Sequence, residues 1–173
     1  RGALPPSEVL TIFEQTCHGI AAAHQAGIIH RDLKPENVFV AKSRRVGTPF
    51  VVKILDFGIA KWTQDAMTAT GSQAIGTPFW MSPEQAQVRG AIGPRTDIWA
   101  FGLLVFFALT GRGYWMCAQP STTANVAQFL HEILMEGPAA ASVRGTRMGL
   151  GHLITPAFDV WSARRVAREP LTR

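Results

Sequence analysis

Residues 30 to 37 read HRDLKPEN, and Asp56, twenty-four positions after Asp32, opens the triplet DFG. Asp32, Lys34 and Asn37 thus lie within six positions, and a second carboxylate follows at short range. Two carboxylates and an amide close together suit a hard cation such as Mg2+, which takes oxygen ligands and shares them with substrate phosphates. A lysine beside them neutralises charge on a group in transfer. The glycine of DFG permits a backbone turn that a side chain would hinder. Singly these signals carry little, because an isolated Asp–Lys pair is ordinarily a solvated ion pair and DFG is a short string. Their value lies in the combination, and the combination needs elements to hold it.

Those elements are legible. NVFVA and FVVKIL are short β-branched runs on either side of SRRVGTP, whose residues have turn chemistry, so the pair predicts a β-hairpin. HRDLKPEN lies at its entrance and DFG at its exit, which brings Asp32, Asn37 and Asp56 to one end of a small antiparallel sheet. Upstream, Val9, Ile12, Phe13, Cys17 and Ile20 recur at three- and four-residue steps, predicting one apolar helix face that ends near Gly27. Positions 61 to 77 are rich in Thr, Ser, Gly and Ala without periodicity, the mark of a long functional loop. Helical patterns return from Pro94 to Leu109 and from Val126 to Met135. An irregular stretch between Gly137 and Pro156 follows, and then a last helix from Phe158 to Arg168.

With 47% hydrophobic and 17% charged residues, the 173-residue chain is globular rather than disordered and fits one domain or a large piece of a bigger one. The segment IWAFGLLVFFALT is too short to span a bilayer and follows Asp97, so it reads as a buried core helix. Cys17 and Cys117 lie far apart without CxxC spacing, which points away from a disulfide framework or a zinc site and toward a reducing, cytoplasmic setting. The net charge is +5 with the basic residues scattered. The one small group, Arg164, Arg165 and Arg168, is expected on a solvated helix face, and no nucleic-acid motif accompanies it. The first residue is not Met and no signal peptide opens the chain, which reads as a segment of something longer.

The run HRDLKPEN, DFG, GTPFWMSPEQ (Gly76 to Gln85) and DIWAFG (Asp97 to Gly102) resembles the eukaryotic-type (Hanks-type) serine/threonine protein kinases, with wording similar to bacterial members. The resemblance covers essentially the whole chain and is most specific from His30 to Gly111. It implies an α+β, mainly α-helical fold: the large C-terminal lobe of a protein kinase, with a small β-hairpin that carries the catalytic and magnesium-binding loops. It also implies transfer of the γ-phosphate of ATP to Ser or Thr hydroxyls of protein substrates, with Mg2+ as cofactor.

Position by position, Asp32 corresponds to the catalytic base, Lys34 to the residue that steadies the γ-phosphate, and Asn37 and Asp56 to the magnesium ligands. Thr77 corresponds to a brace on the Asp32–Lys34 pair, and Phe39 to the apolar floor beneath adenine. His30 and Phe57 are expected to stack, Asp97 to anchor the catalytic-loop backbone, and Arg173 to pair with Glu84. Arg31 beside the catalytic aspartate implies control by phosphorylation of the following loop, with Thr68, Thr70 and Ser72 as candidate sites. Ser82 stands where Ala is commoner in the family's Ala-Pro-Glu, and Trp80 where Tyr is commoner.

No GxGxxG and no Val-Ala-x-Lys pattern precedes His30, so residues 1 to 173 are expected to be the C-terminal lobe alone, inactive without the N-terminal lobe and its hinge. Two other readings stand beside it, one a second enzyme and one from another class. A small-molecule phosphotransferase of the same fold would lack Lys34-Pro35 and Ser82-Pro83-Glu84. A non-catalytic scaffold is the other: a degenerate kinase would ordinarily have lost Asp32 or Asp56, both kept here, whereas a truncated kinase-like scaffold stays open.

Overall fold

A computed structural model of the chain describes residues 2–44, 47, 49–57, 78–87, 90–119 and 126–168. Helix α1 spans Pro6–Gln25, with proline at its first position and Glu8 in its first turn. Both suit an N-terminus, where a missing N–H costs nothing and the dipole favours an anion. Its buried stripe is Val9, Ile12, Phe13, Thr16 and Ile20. Cys17, expected on that stripe, is exposed instead. At 3.6 residues per turn Cys17 sits about 80° from the stripe's centre, whereas Thr16 lies near it. The Thr16 hydroxyl enters the core because it donates to the Ile12 carbonyl at 2.8 Å.

Strands β1 (Val38–Lys42) and β2 (Phe50–Ile54) pair antiparallel, with Val38 opposite Ile54 and Lys42 opposite Phe50. The hairpin lies against α1, and Gly19 makes that approach possible, since a Cβ there would meet Ile54 Cδ1 at 2.7 Å. Gln15 of α1 takes up the free backbone of β2: its Oε1 accepts from the Val52 N–H at 2.9 Å. An edge strand is thereby satisfied by a side chain instead of a further strand.

A 3-10 turn at Pro78–Trp80 precedes the short helix α2 (Pro83–Ala86). Helix α3 (Pro94–Thr110) is the axis of the molecule, with buried residues around most of its circumference from Thr96 to Phe106. A helix apolar on all sides is a core helix, as expected for IWAFGLLVFFALT. One side of α3, through Ala100, Phe101, Leu104 and Val105, packs with α1, the hairpin and Leu33. The other side, through Trp99, Leu103 and Phe106, packs with Tyr114, Trp115, Phe129, Ile133 and Ile154. Among the described residues no helix is long and apolar enough to cross a membrane.

Beyond α3 the order is a 3-10 turn (Met116–Ala118), α4 (Val126–His131), a π-helical turn (Glu132–Glu136), α5 (Ala141–Arg147), a 3-10 turn (Gly151–Leu153) and α6 (Pro156–Ala163). The stretch 137–156, expected to be irregular, therefore contains a helix. Its Gly and Ala residues weaken the apolar signal, and tertiary burial of Ala141 and Gly145 supplies what periodicity lacks. The last helix begins two residues earlier than expected, at Pro156 behind the Thr155 cap, and ends at Ala163. The arginines expected on its surface lie in the turn after it. Arg165 folds back with its guanidinium 4.8 Å from the centroid of the Trp161 ring.

Candidate active site

Lys34 has extended backbone, and the burial of Leu33 before it decides what the segment Asp32-Leu33-Lys34 presents. Leu33 is 1% exposed and belongs to the α1–α3 core, so its neighbours turn outward. The Lys34 Nζ donates to Asp32 Oδ2 at 2.8 Å, and both side chains keep about a quarter of their surface open. Pro35 then starts a single 3-10 turn, Pro35–Asn37, which rotates Asn37 back toward Asp32. The Asn37 Nδ2 donates to the Asp32 carbonyl at 2.8 Å, and the side chain is buried. Because Nδ2 is spent on that bond, the carbonyl Oδ1 is the atom Asn37 has for a cation.

Hairpin register brings in the second carboxylate. The Leu55 N–H donates to the Asn37 carbonyl at 2.8 Å, which sets Asp56 two residues beyond the end of the ladder at Ile54. Asp56 is exposed and adopts φ +51°, a left-handed conformation that a non-glycine residue holds only under outside constraint. Asn37 and Asp56 thus supply an amide oxygen and a carboxylate at the same end of the sheet, the oxygen donor set that Mg2+ takes. Phe39 lies further along β1 with 53% of its surface exposed, an apolar face open to a planar ligand. Thr77, Thr68, Thr70, Ser72 and Arg173 lie outside the described residues.

The strain at Arg31 explains how the loop is held. Arg31 has φ +65°. Asp97, in the first turn of α3 and 1% exposed, accepts from the His30 N–H through Oδ2 at 2.9 Å and from the Arg31 N–H through Oδ1 at 2.8 Å. The expected anchoring role of Asp97 is therefore present in the geometry. Sequence reasoning missed its third partner: His24 Nε2, in the last turn of α1, lies 2.7 Å from Asp97 Oδ2. The signal was available, since His24 precedes His30 at a helix end, but nothing in the spacing says that α1 and α3 converge there.

His30 is fully buried, and its two ring nitrogens have opposite duties. Nε2 lies 2.9 Å from the Leu55 carbonyl, and Nδ1 lies 3.2 Å from the Asp32 N–H, which can only donate. A neutral ring protonated on Nε2 satisfies both. The expected stacking with Phe57 is a tilted contact, with centroids 4.7 Å apart and planes at 44°. A second residue missed from sequence is Gln85, whose Nε2 donates to the Arg31 carbonyl at 2.7 Å. Glu84 is buried and accepts from the Thr96 hydroxyl at 3.0 Å, which ties the Ser-Pro-Glu segment to α3.

Comparison with known proteins bears on the family. The protein kinase domain model matches residues 1–147. Serine/threonine-protein kinase pkn2 of Myxococcus xanthus is 44% identical over 114 residues, covering 64% of this chain and 13% of that protein. Serine/threonine-protein kinase PknL of Mycobacterium tuberculosis is 32% identical over 174 residues, covering 100% of this chain and 39% of PknL. Serine/threonine-protein kinase PknB of Mycobacterium leprae is 35% identical over 125 residues, covering 71% of this chain and 19% of PknB. The chain spans well under half the length of each of these curated relatives. A carboxylate–lysine pair on a loop strapped to a buried aspartate, found where a kinase model matches most of the chain, has one family explanation: this chain belongs to the protein kinases, in their eukaryotic-type serine/threonine class.

Proposed function

We propose that these 173 residues form the catalytic-loop lobe of an ATP-dependent protein serine/threonine kinase, working in the cytoplasm with a nucleotide-covering lobe supplied from outside them. The observation that carries this reading is the Asp32–Lys34 pair, 2.8 Å apart and open to solvent on a backbone that buried groups hold in a strained conformation. Strain maintained beside a half-buried, solvent-accessible carboxylate is characteristic of a working site.

In this reading Asp32 accepts the proton of a Ser or Thr hydroxyl as its oxygen bonds to the γ-phosphorus of ATP. The bond from that phosphorus to the bridging oxygen breaks, and ADP departs. Lys34, held at the Asp32 carboxylate, places its positive charge where the transferring phosphoryl group passes. Asn37 Oδ1 and the Asp56 carboxylate would hold Mg2+, which supplies charge neutralisation along the phosphates. Phe39 offers its exposed ring to adenine, and Thr77, outside the described residues, is given the role of a brace on the Asp32–Lys34 pair by the family resemblance alone. Positioning provides most of the catalysis in phosphoryl transfer. Residues 1–173 by themselves, with one wall of the cleft missing, therefore bind ATP weakly and turn over negligibly.

The test is transfer from labelled ATP with Mg2+ to a generic Ser/Thr protein. It compares this chain with the protein extended through its upstream coding region, each with an Asp32→Asn control. The extended protein should label substrate, and Asp32→Asn should lower the rate by about 10²–10⁴-fold. Activity in the short chain that Asp32→Asn abolishes would disprove the need for a second lobe. No transfer from either form would leave a non-catalytic scaffold as the better reading.

A further inference from the structure

The peptide unit between Arg31 and Asp32 carries the Cα of the catalytic-loop aspartate, so its orientation decides where that carboxylate points. Its two polar ends are held by different parts of the molecule. The Asp32 N–H donates to His30 Nδ1 at 3.2 Å, and the Arg31 carbonyl accepts from Gln85 Nε2 at 2.7 Å. On the other side of Arg31, the N–H is taken by Asp97 Oδ1 at 2.8 Å. A residue at φ +65° relaxes toward the ordinary regions unless both flanking peptides are restrained. Asp97 restrains one of them, and Gln85 with His30 restrains the other.

Gln85 does this with its whole amide. Its Oε1 accepts from the Ser82 N–H at 3.0 Å while its Nε2 reaches Arg31. The orientation of the amide is decided by chemistry, because the Ser82 N–H can only donate and so needs the amide oxygen, while the Arg31 carbonyl can only accept and so needs the amide nitrogen. One planar group therefore joins the segment before α2 to the strained peptide of the catalytic loop. That segment is itself fastened to α3, through the bond from Thr96 to Glu84.

We propose that Gln85 is a positioning residue for Asp32: its amide locks the Arg31–Asp32 peptide and couples the order of the Ser82 segment to the rate of phosphoryl transfer. The coupling rests on the kinase reading above, whereas the lock does not. Gln85 touches no reacting atom, so the expected signature is a fall in kcat without a change in affinity for ATP.

The discriminating variant is Gln85→Glu in the extended protein. It keeps an acceptor for the Ser82 N–H but places an oxygen against the Arg31 carbonyl. Gln85→Met, which keeps the length and removes both bonds, serves as the second variant should the first fail to fold. Amide exchange at Asp32 should quicken by about tenfold, the worth of one typical hydrogen bond. Exchange in α3 and the thermal midpoint should stay near wild type. In the same samples kcat should fall by about 10- to 100-fold with the KM for ATP held within about twofold. Unchanged exchange at Asp32 would overturn the proposal whatever the activity. Faster exchange with wild-type kcat would overturn the coupling and show a structural bond only. Should the wild-type protein transfer no phosphate, the kinase reading fails, and exchange alone decides whether Gln85 holds the peptide.

Discussion

Single residues in this chain do chemistry or resist it according to how much water reaches them. Asp32 and Lys34 face outward because Leu33 between them is drawn into the core, so one leucine sets the direction of two charges. The opposite case lies beneath α3. Burial pushes the Cys117 thiol up to about 11 from its ordinary value of 9.0, and a hydrogen bond with Glu132 adds to the effect. Burial likewise pushes the Tyr114 hydroxyl up to about 12 from 10.0, partly offset by the Arg144 charge. Both groups hold their protons more tightly when folded than when unfolded. Their contribution to stability is complete below pH 9.0 and is lost as pH rises through about 11 and about 12. The thermal midpoint should therefore fall between pH 9 and 12 on account of these two groups, and Tyr114→Phe should flatten the upper part of that fall.

At the level of elements, short pieces are joined by buried polar groups that no single piece could satisfy. Glu132, in the π-helical turn, pairs with Arg144 of α5, and both side chains are almost wholly buried. The same carboxylate accepts from the Met116 and Cys117 N–H groups at 3.3 and 3.5 Å. The Arg144 guanidinium also lies 5.3 Å from the centroid of the Tyr114 ring. Two short helical elements and a 3-10 turn thus share one ion pair, whose desolvation is offset only while every partner is present. Arg144→Ala should lower the unfolding free energy by about 3–5 kcal/mol, measured by denaturant titration, because it strands a buried carboxylate. A loss below about 1 kcal/mol would mean that water reaches the pair, as at an exposed ion pair.

Across the whole molecule α3 is shared by two cores, and its Asp97 holds the loop that precedes Asp32. Gly102 lies where the chain beyond α6 crosses this helix. A Cβ there would meet Val166 Cγ2 at 2.6 Å and Arg165 Cβ at 3.1 Å, both close to backbone and unable to move far. Gly102→Ala should therefore cost about 1–3 kcal/mol despite its better helix propensity. Because both cores depend on α3, unfolding should remain a single transition by calorimetry. Two separated transitions in the variant would show that the cores are independent.

The family and the candidate site were legible in the sequence because they reside in local strings. The spacing of Asp32, Lys34 and Asn37 survives any packing, and the β-branched runs around a turn settle the hairpin that delivers Asp56. The burial of α3 was equally plain, since no amphipathic face could be drawn on IWAFGLLVFFALT. Only the tertiary structure brought His24 to Asp97, 73 positions further on, and Gln85 to Arg31, 54 positions before it. Only packing folded 141–147 into a helix. Side-chain type and near spacing are written along the chain. A hydrogen bond between distant residues, or the left-handed backbone it holds at Arg31, exists only after helices have been packed and the strain has partners to oppose it.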